Sequence, residues 1–212
     1  MKKIIIITFF LTTFTFSQQL IINEIMSDPT MVSDVVGEWF EIYNANENSV
    51  DLNGYYFTDA DGDSFAITSS LSIQPMQYFV LGCNGDQNSN GGFSVDFTYN
   101  RSDFNLDNTE DEVIFYDSNN NLIDIVQYNS TFPYEAGASL ELTGLFYDNN
   151  IGGFWATSII QYGLGDLGTP GDDNSTGNFG IILSNIYGTF FTGTLNFGQV
   201  DTSVSSNQHL VI

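Results

Sequence analysis

The stretch that decides the fold is Glu112-Val113-Ile114-Phe115-Tyr116-Asp117, then Ser118-Asn119-Asn120-Asn121, then Leu122-Ile123-Asp124-Ile125-Val126-Gln127-Tyr128. Two runs of β-branched, aromatic and aliphatic residues flank four short polar ones. Asparagines tolerate the left-handed backbone that a tight turn needs, so these residues read as a β-hairpin. The same alternation of apolar run and Asn, Asp, Gly or Ser cluster recurs along the chain. It predicts strands over 20–26, 38–44, 51–58, 64–68, 77–83, 95–99, 112–117, 122–128 and 139–143, with a last short one near Trp155. About ten short strands with no sustained helical stripe predict an all-β sandwich. Alanine is sparse while Asn and Asp abound, so no helix of any length is expected.

Within residues 38–44, the pleat sets Phe40 and Ile42 on one face and Trp39, Glu41 and Tyr43 on the other. One face should line the core and the aromatic pair should pack at an edge. Gly54 is expected to permit a bend, and Pro170 to end the last strand by withdrawing an amide donor. The loop 85–92 holds only Gly, Asn, Asp, Gln and Ser; it reads as too polar to pack, hence mobile. Around 163–177 the composition shifts to Gly, Thr, Pro, Asp and Asn, the expected exit from one unit. The organisation expected is a signal segment 1–17, a sandwich 18–174, a linker 175–180 and an incomplete β segment 181–212, the truncated start of a second module.

The signal segment rests on Lys2 and Lys3 before an uncharged apolar run from Ile4 to Phe16, closed by Ser17. That run is shorter than the ~20 residues needed to span a bilayer. Export to the outside or the cell surface is therefore expected, with no membrane insertion of the mature chain. Its removal leaves Arg101 as the only permanent cation against 26 acidic residues. Nucleic acid and anionic membranes both need several Lys or Arg, so direct binding to either is not expected. Self-repulsion should instead make salt or divalent cations helpful. Cys83 is alone, so no internal disulfide can form; it reads as a small buried hydrophobe, the alternative being a reactive or intermolecular thiol. Both lysines lie in the signal segment, which excludes a Lys–Asn isopeptide staple in the mature chain.

Several strings occur in a recognisable order: Ile22-Asn23-Glu24-Ile25; Glu38-Trp39-Phe40-Glu41-Ile42-Tyr43-Asn44; Asp51-Leu52-Asn53-Gly54-Tyr55; Gln77-Tyr78-Phe79-Val80-Leu81; the 111–125 hairpin; Gly137-Ala138-Ser139-Leu140-Glu141; Trp155-Ala156-Thr157-Ser158; and Gly168-Thr169-Pro170-Gly171. Together, over roughly residues 20–174, they resemble the lamin-tail domain in the version found in exported bacterial proteins. The resemblance implies an immunoglobulin-like β-sandwich. It also implies a non-catalytic extracellular binding or scaffolding module of a larger secreted or surface protein, acting by adhesion or domain positioning, with a protein or a polysaccharide at the cell surface as partner. The alternative it implies is an accessory module of an extracellular hydrolase or nuclease whose catalytic domain lies elsewhere. Thr194-Leu195-Asn196-Phe197-Gly198-Gln199-Val200 is similar to the opening of a repeated immunoglobulin-like module of bacterial surface proteins.

Chemistry has few carriers here. The one histidine, His209, is near the end and outside the expected sandwich, which removes a Ser or Cys triad; no Cys-x-x-Cys, His-Glu-x-x-His or phosphate-cradling loop is present, and zinc lacks ligands. No catalytic residue and no required cofactor are expected. Glu24, Glu38 and Glu41 lie in strands that could adjoin. They read as acceptors for backbone amides, with a cation site or a catalytic pair as alternatives. Asp59, Asp61 and Asp63 alternate in a turn and offer clustered oxygens to calcium, against the plainer reading of a solvated hairpin turn. The acidic turn 103–112 and the exit 171–174 read as charged edges that discourage strand-to-strand aggregation. Tyr55, Tyr56, Tyr99 and Tyr128 are candidates for a stacking face, or for ordinary sandwich core.

Overall fold

Leu20–Met26 is buried along its whole length, as a strand covered on both faces must be, and the sandwich is built around it. A computed structural model of the chain describes residues 20–145 and 147–176. The signal segment, most of the linker 175–180, the segment 181–212 and His209 lie outside the described residues. The strands are β1 (Leu20–Met26), β2 (Trp39–Asn44), β3 (Val50–Asp51), β4 (Tyr56–Thr58), β5 (Ser64–Ala66), β6 (Ser72–Ile73), β7 (Tyr78–Gly82), β8 (Phe97–Thr98), β9 (Asp111–Tyr116), β10 (Leu122–Tyr128), β11 (Leu140–Leu142) and β12 (Trp155–Thr157). One sheet runs β12-β11-β1-β2-β7-β8, a second β10-β9-β4-β5, and β3 with β6 forms a two-stranded ribbon. All pairs are antiparallel except β7 with β8. This is the expected all-β, immunoglobulin-like sandwich, and the longest helix among the described residues, α1 (Asp34–Gly37), has four residues.

Inward residues of both sheets make one aromatic-rich core. Phe57 of β4 stacks on Phe115 of β9 at 4.3 Å, and Phe40 of β2 meets Phe57 across the sandwich at 5.0 Å. Each fully buried phenylalanine contributes about 2–3 kcal/mol of hydrophobic stabilisation. Trp39 does not pack at an edge as expected. It joins Met26, Val80 and Phe93 in a second cluster on the outer face of the large sheet, where its indole N–H donates to the Tyr162 hydroxyl at 3.2 Å.

The β9–β10 hairpin forms as read. Asn120 takes φ +64°, and Asp117 Oδ1 accepts the amides of Asn119 and Asn121, both at 2.8 Å. Three other expectations are corrected. Residues 51–58 are not one strand: Gly54 turns the chain at φ +84°, sending β3 to pair with β6 and β4 with β9. The loop 85–92 is exposed at 85–89 and 92 but anchored at Asn90 and Gly91, which are buried. Asn90 is fully buried, holding the Asn84 and Phe93 carbonyls with its amide and the Gly92 and Phe93 N–H groups with its oxygen. Finally, Pro170 does not end a strand but begins a turn, closed by the Asp172 N–H to the Thr169 carbonyl at 2.9 Å with Gly171 at φ +87°. Pro then Gly at the two central positions is the sequence such a type II turn demands.

A bulge interrupts β1 between Ile22 and Glu24, and side chains take up three of its backbone groups. The Ile22 amide donates to Asp124 Oδ2 at 2.7 Å, while its carbonyl accepts from Asn149 at 3.1 Å; the Asn23 carbonyl accepts from Asn174 at 3.2 Å. Asp124, from the facing sheet, and Asn149 thereby tie the two layers together. Burial pushes the Asp124 carboxyl up to about 6 despite these donors.

Candidate functional site

The acidic turn at Asp59–Asp63 spends its charge on its own backbone. Asp59 Oδ1 accepts the Gly62 amide at 2.7 Å and the Asp63 amide at 2.9 Å; Asp63 Oδ2 accepts from Asn105 at 3.0 Å; Asp61 is exposed. The structure brings this turn beside the second acidic turn, through the Ser64 amide on the Asp103 carbonyl at 2.7 Å and the Ala60 amide near Glu112. Within that turn Asp111 accepts the Asp107 amide, and burial pushes its carboxyl up to about 6. Among the described residues no three acid, histidine or cysteine side chains converge into a group that could hold a metal ion.

The other expected acids separate into two places. Register pairs Glu24 of β1 with Glu41 of β2 on one side and with Glu141 of β11 on the other, so three carboxylates form a row across adjacent strands. All three are fully buried. Residues 168–176 cross this row as a strap and supply its donors. Glu24 accepts the Thr169 amide at 2.8 Å and the Ser139 hydroxyl, and its Oε2 lies 2.8 Å from the Thr169 hydroxyl oxygen. Glu41 accepts the Gly171 amide at 2.6 Å and the Asn23 side-chain amide at 3.0 Å. Glu141 accepts the Ser175 hydroxyl at 2.7 Å and the Thr176 amide and hydroxyl at 3.0 Å. Asn23 and Asn174 exchange side-chain hydrogen bonds beneath the strap. Burial raises Glu24 and Glu41 above the ordinary carboxylate range, and neighbouring charges, Glu141 for the first and Glu24 for the second, add to it. These carboxylates act as acceptors for backbone amides, the plainer of the sequence readings. Glu141 and the strap were missed. The available signal was the apolar-Glu-apolar pattern that Leu140-Glu141-Leu142 shares with Phe40-Glu41-Ile42.

Glu38 stands apart, at the start of β2. It is fully buried and takes a two-pronged contact from Arg101, at 2.7 and 3.1 Å, plus the Leu106 amide at 3.3 Å. Burial pushes its carboxyl up to about 7 while the guanidinium pulls the other way. Cys83 lies alongside, half-buried, its thiol pushed up to about 11 by burial and by the Glu38 charge. A thiol so held is poorly nucleophilic, which fits the packing role expected of it. The Tyr99 hydroxyl is the one buried side-chain polar atom without a hydrogen-bond partner among the described residues. An unmatched buried donor costs about 1–3 kcal/mol. Tyr99→Phe is therefore expected to stabilise the protein by about 1 kcal/mol in urea titration; a loss of that size would show the hydroxyl to be engaged.

Of the two readings of the tyrosines, sandwich core and cross-strand pairing is the one the structure shows. Tyr55, Tyr99 and Tyr128 are core residues, and only Tyr56 reaches the surface. There it stacks on Tyr116, ring centres 5.0 Å apart and planes 8° from parallel. Alternation puts this pair, Ile114 and its cross-strand neighbour Ile125, and the exposed Leu122 on the outer face of the four-stranded sheet. All five stand outside both hydrophobic clusters.

No helix among the described residues is long and apolar enough to cross a membrane. No curated protein matches the chain. The family model for the lamin tail domain matches residues 15–130, more than half of the 212-residue chain. The sandwich continues past that stretch, because β11 and the strap complete the sheet around β1. With its immunoglobulin-like layers and this match, the chain belongs to the lamin tail domain family.

Proposed function

We propose that this domain is a non-catalytic binding or scaffolding module of a larger secreted or cell-surface protein, working by adhesion or by positioning its neighbours. The outer face of the four-stranded sheet carries this reading. Tyr56, Tyr116, Ile114, Ile125 and Leu122 present aromatic and aliphatic surface that contributes to neither hydrophobic cluster. Such surface on an otherwise acidic protein suits contact with a protein or a polysaccharide. The segment Lys2, Lys3 and Ile4 to Phe16 supports export. Binding of the purified full chain to whole cells and to extracted surface polysaccharide tests the reading. The double variant Tyr56→Ser, Tyr116→Ser should bind at least about tenfold more weakly with its melting midpoint nearly unchanged, since loss of one good aromatic contact is worth about 1.4 kcal/mol. Equal binding by the two proteins would remove this face from the proposal.

Calcium at Asp59, Asp61 and Asp63 is a further proposal, supported by the acidity of the two adjoining turns. It requires Asp59 to give up the Gly62 and Asp63 amides, so the site would have to open to take the ion. A bound ion would raise the melting midpoint in millimolar calcium relative to chelator at matched ionic strength. Identical midpoints would leave the turn closed on its own hydrogen bonds.

A further inference from the structure

The strap over the three glutamates leaves one proton to be placed. The Thr169 hydroxyl lies 2.8 Å from Glu24 Oε2 and 3.1 Å from Glu141 Oε1. It owns a single hydrogen, so it donates to one carboxyl only. Were both carboxyls ionised, the other contact would set oxygen lone pairs against each other in a fully buried place. The neighbouring donors are already committed: the Thr169 amide and the Ser139 hydroxyl to Glu24 Oε1, and the Ser175 hydroxyl with the Thr176 amide and hydroxyl to Glu141 Oε2. We propose that Glu24 Oε2 carries a proton donated to Thr169 Oγ1, that Thr169 donates its own to Glu141 Oε1, and that this shared proton latches residues 168–176 to the sheet.

The surroundings offer no substitute for it. Facing Glu24 are Glu41 from β2, Glu141 from β11 and Tyr162 from the segment ahead of the strap. Beyond Glu41 lie Asp96 and Tyr78; Tyr78 donates to Asp173 of the strap at 2.6 Å, and Asp166 faces Tyr162. Every one of these groups is an acid or a phenol. Arg101, the one cationic side chain among the described residues, is paired with Glu38. Burial, with the Glu141 charge, raises Glu24 in the direction this arrangement needs.

When the pH rises and solvent takes the proton, two carboxylates confront each other across one hydroxyl hydrogen with Glu41 alongside. Lifting the strap at Thr169 relieves the repulsion by letting water reach Glu24 and Glu141.

Amide hydrogen exchange on the full chain between pH 6 and pH 9, corrected for the intrinsic rate, is the test. Protection of the Thr169, Gly171 and Thr176 amides should fall at least tenfold over that range. Glu24→Gln keeps a donor toward Thr169 and an acceptor toward its amide without a titrating proton, so the variant should hold its protection flat. A flat profile in the unmodified protein, or a parallel fall in Glu24→Gln, overturns the latch. Should that variant fail to fold, infrared spectroscopy of the unmodified chain decides. A protonated-carboxyl band present at pH 7 and lost in step with strap protection supports the latch, and absence of such a band at pH 7 overturns it.

Discussion

Replacing Arg101 by methionine is expected to lower stability by about 3 kcal/mol at pH 8 and by only about 1 kcal/mol at pH 5. The side chain is 32% exposed, yet its partner Glu38 is fully buried, so removing the guanidinium strands a charge whose carboxylate keeps only the Leu106 backbone amide as donor among the described residues. Stranding a buried charge typically costs about 3–5 kcal/mol; the lower end applies because Glu38 can take up a proton. That escape also gives the pH dependence, for the carboxyl already sits near 7 with the arginine in place and goes higher without it. Urea titration at both pH values checks the result. The double variant Arg101→Met, Glu38→Gln should recover most of the loss at pH 8. An equal loss at both pH values would mean that the methylene stem of Arg101, rather than its charge, holds the site.

The second large effect is a stability that rises on mild acidification. Glu38 is raised to about 7 and Asp124 to about 6, and Glu24 and Glu41 are raised as well, each by burial first. A carboxyl whose folded value exceeds its unfolded one binds its proton more tightly when folded. Stability therefore grows as pH falls through the folded values and levels off below the unfolded ones, 4.5 for Glu and 3.8 for Asp. Asp86 and Asp117 run the other way: backbone or side-chain hydrogen bonds lower them, and their contribution is lost as pH falls below the unfolded value. The maximum should lie near pH 5. Between pH 8 and pH 5 the gain should reach a few kcal/mol, a rise in melting midpoint of roughly 10 °C for a domain of this size. Calorimetry across that range measures it. A midpoint that falls from pH 8 to pH 5 would mean that these carboxylates are ionised and well solvated in the folded protein.

Local features were legible in the sequence and distant ones were not. The β9–β10 hairpin is specified by neighbouring residues, and Asn120 takes the left-handed conformation its turn chemistry requires. The tyrosines were ambiguous because the break at Gly54 resets which way alternate side chains point; Tyr55 goes inward and Tyr56 outward. The buried glutamates could be read as amide acceptors but not matched to donors. Thr169 is 145 positions from Glu24, and nothing in a Gly-Thr-Pro-Gly string says which strand it crosses. Loop 85–92 misled for a similar reason. Residues 85–89 and 92 do face water as their polarity implies, whereas Asn90 turns its own inward onto four backbone groups.

The place of β1 has a consequence for how the chain is made. The first described strand lies in the interior of its sheet, and its partner on one side, β11, comes far later in the chain. Contacts of such long range are slow to form. At translation rates of about 5–20 residues per second, the stretch from Glu24 to its β11 partner Glu141 takes roughly 6–23 seconds to appear. Throughout that interval the nascent strand offers a sticky, unpaired flank to any other chain nearby. A ribosome-bound intermediate of this protein is thus the form most in need of a chaperone.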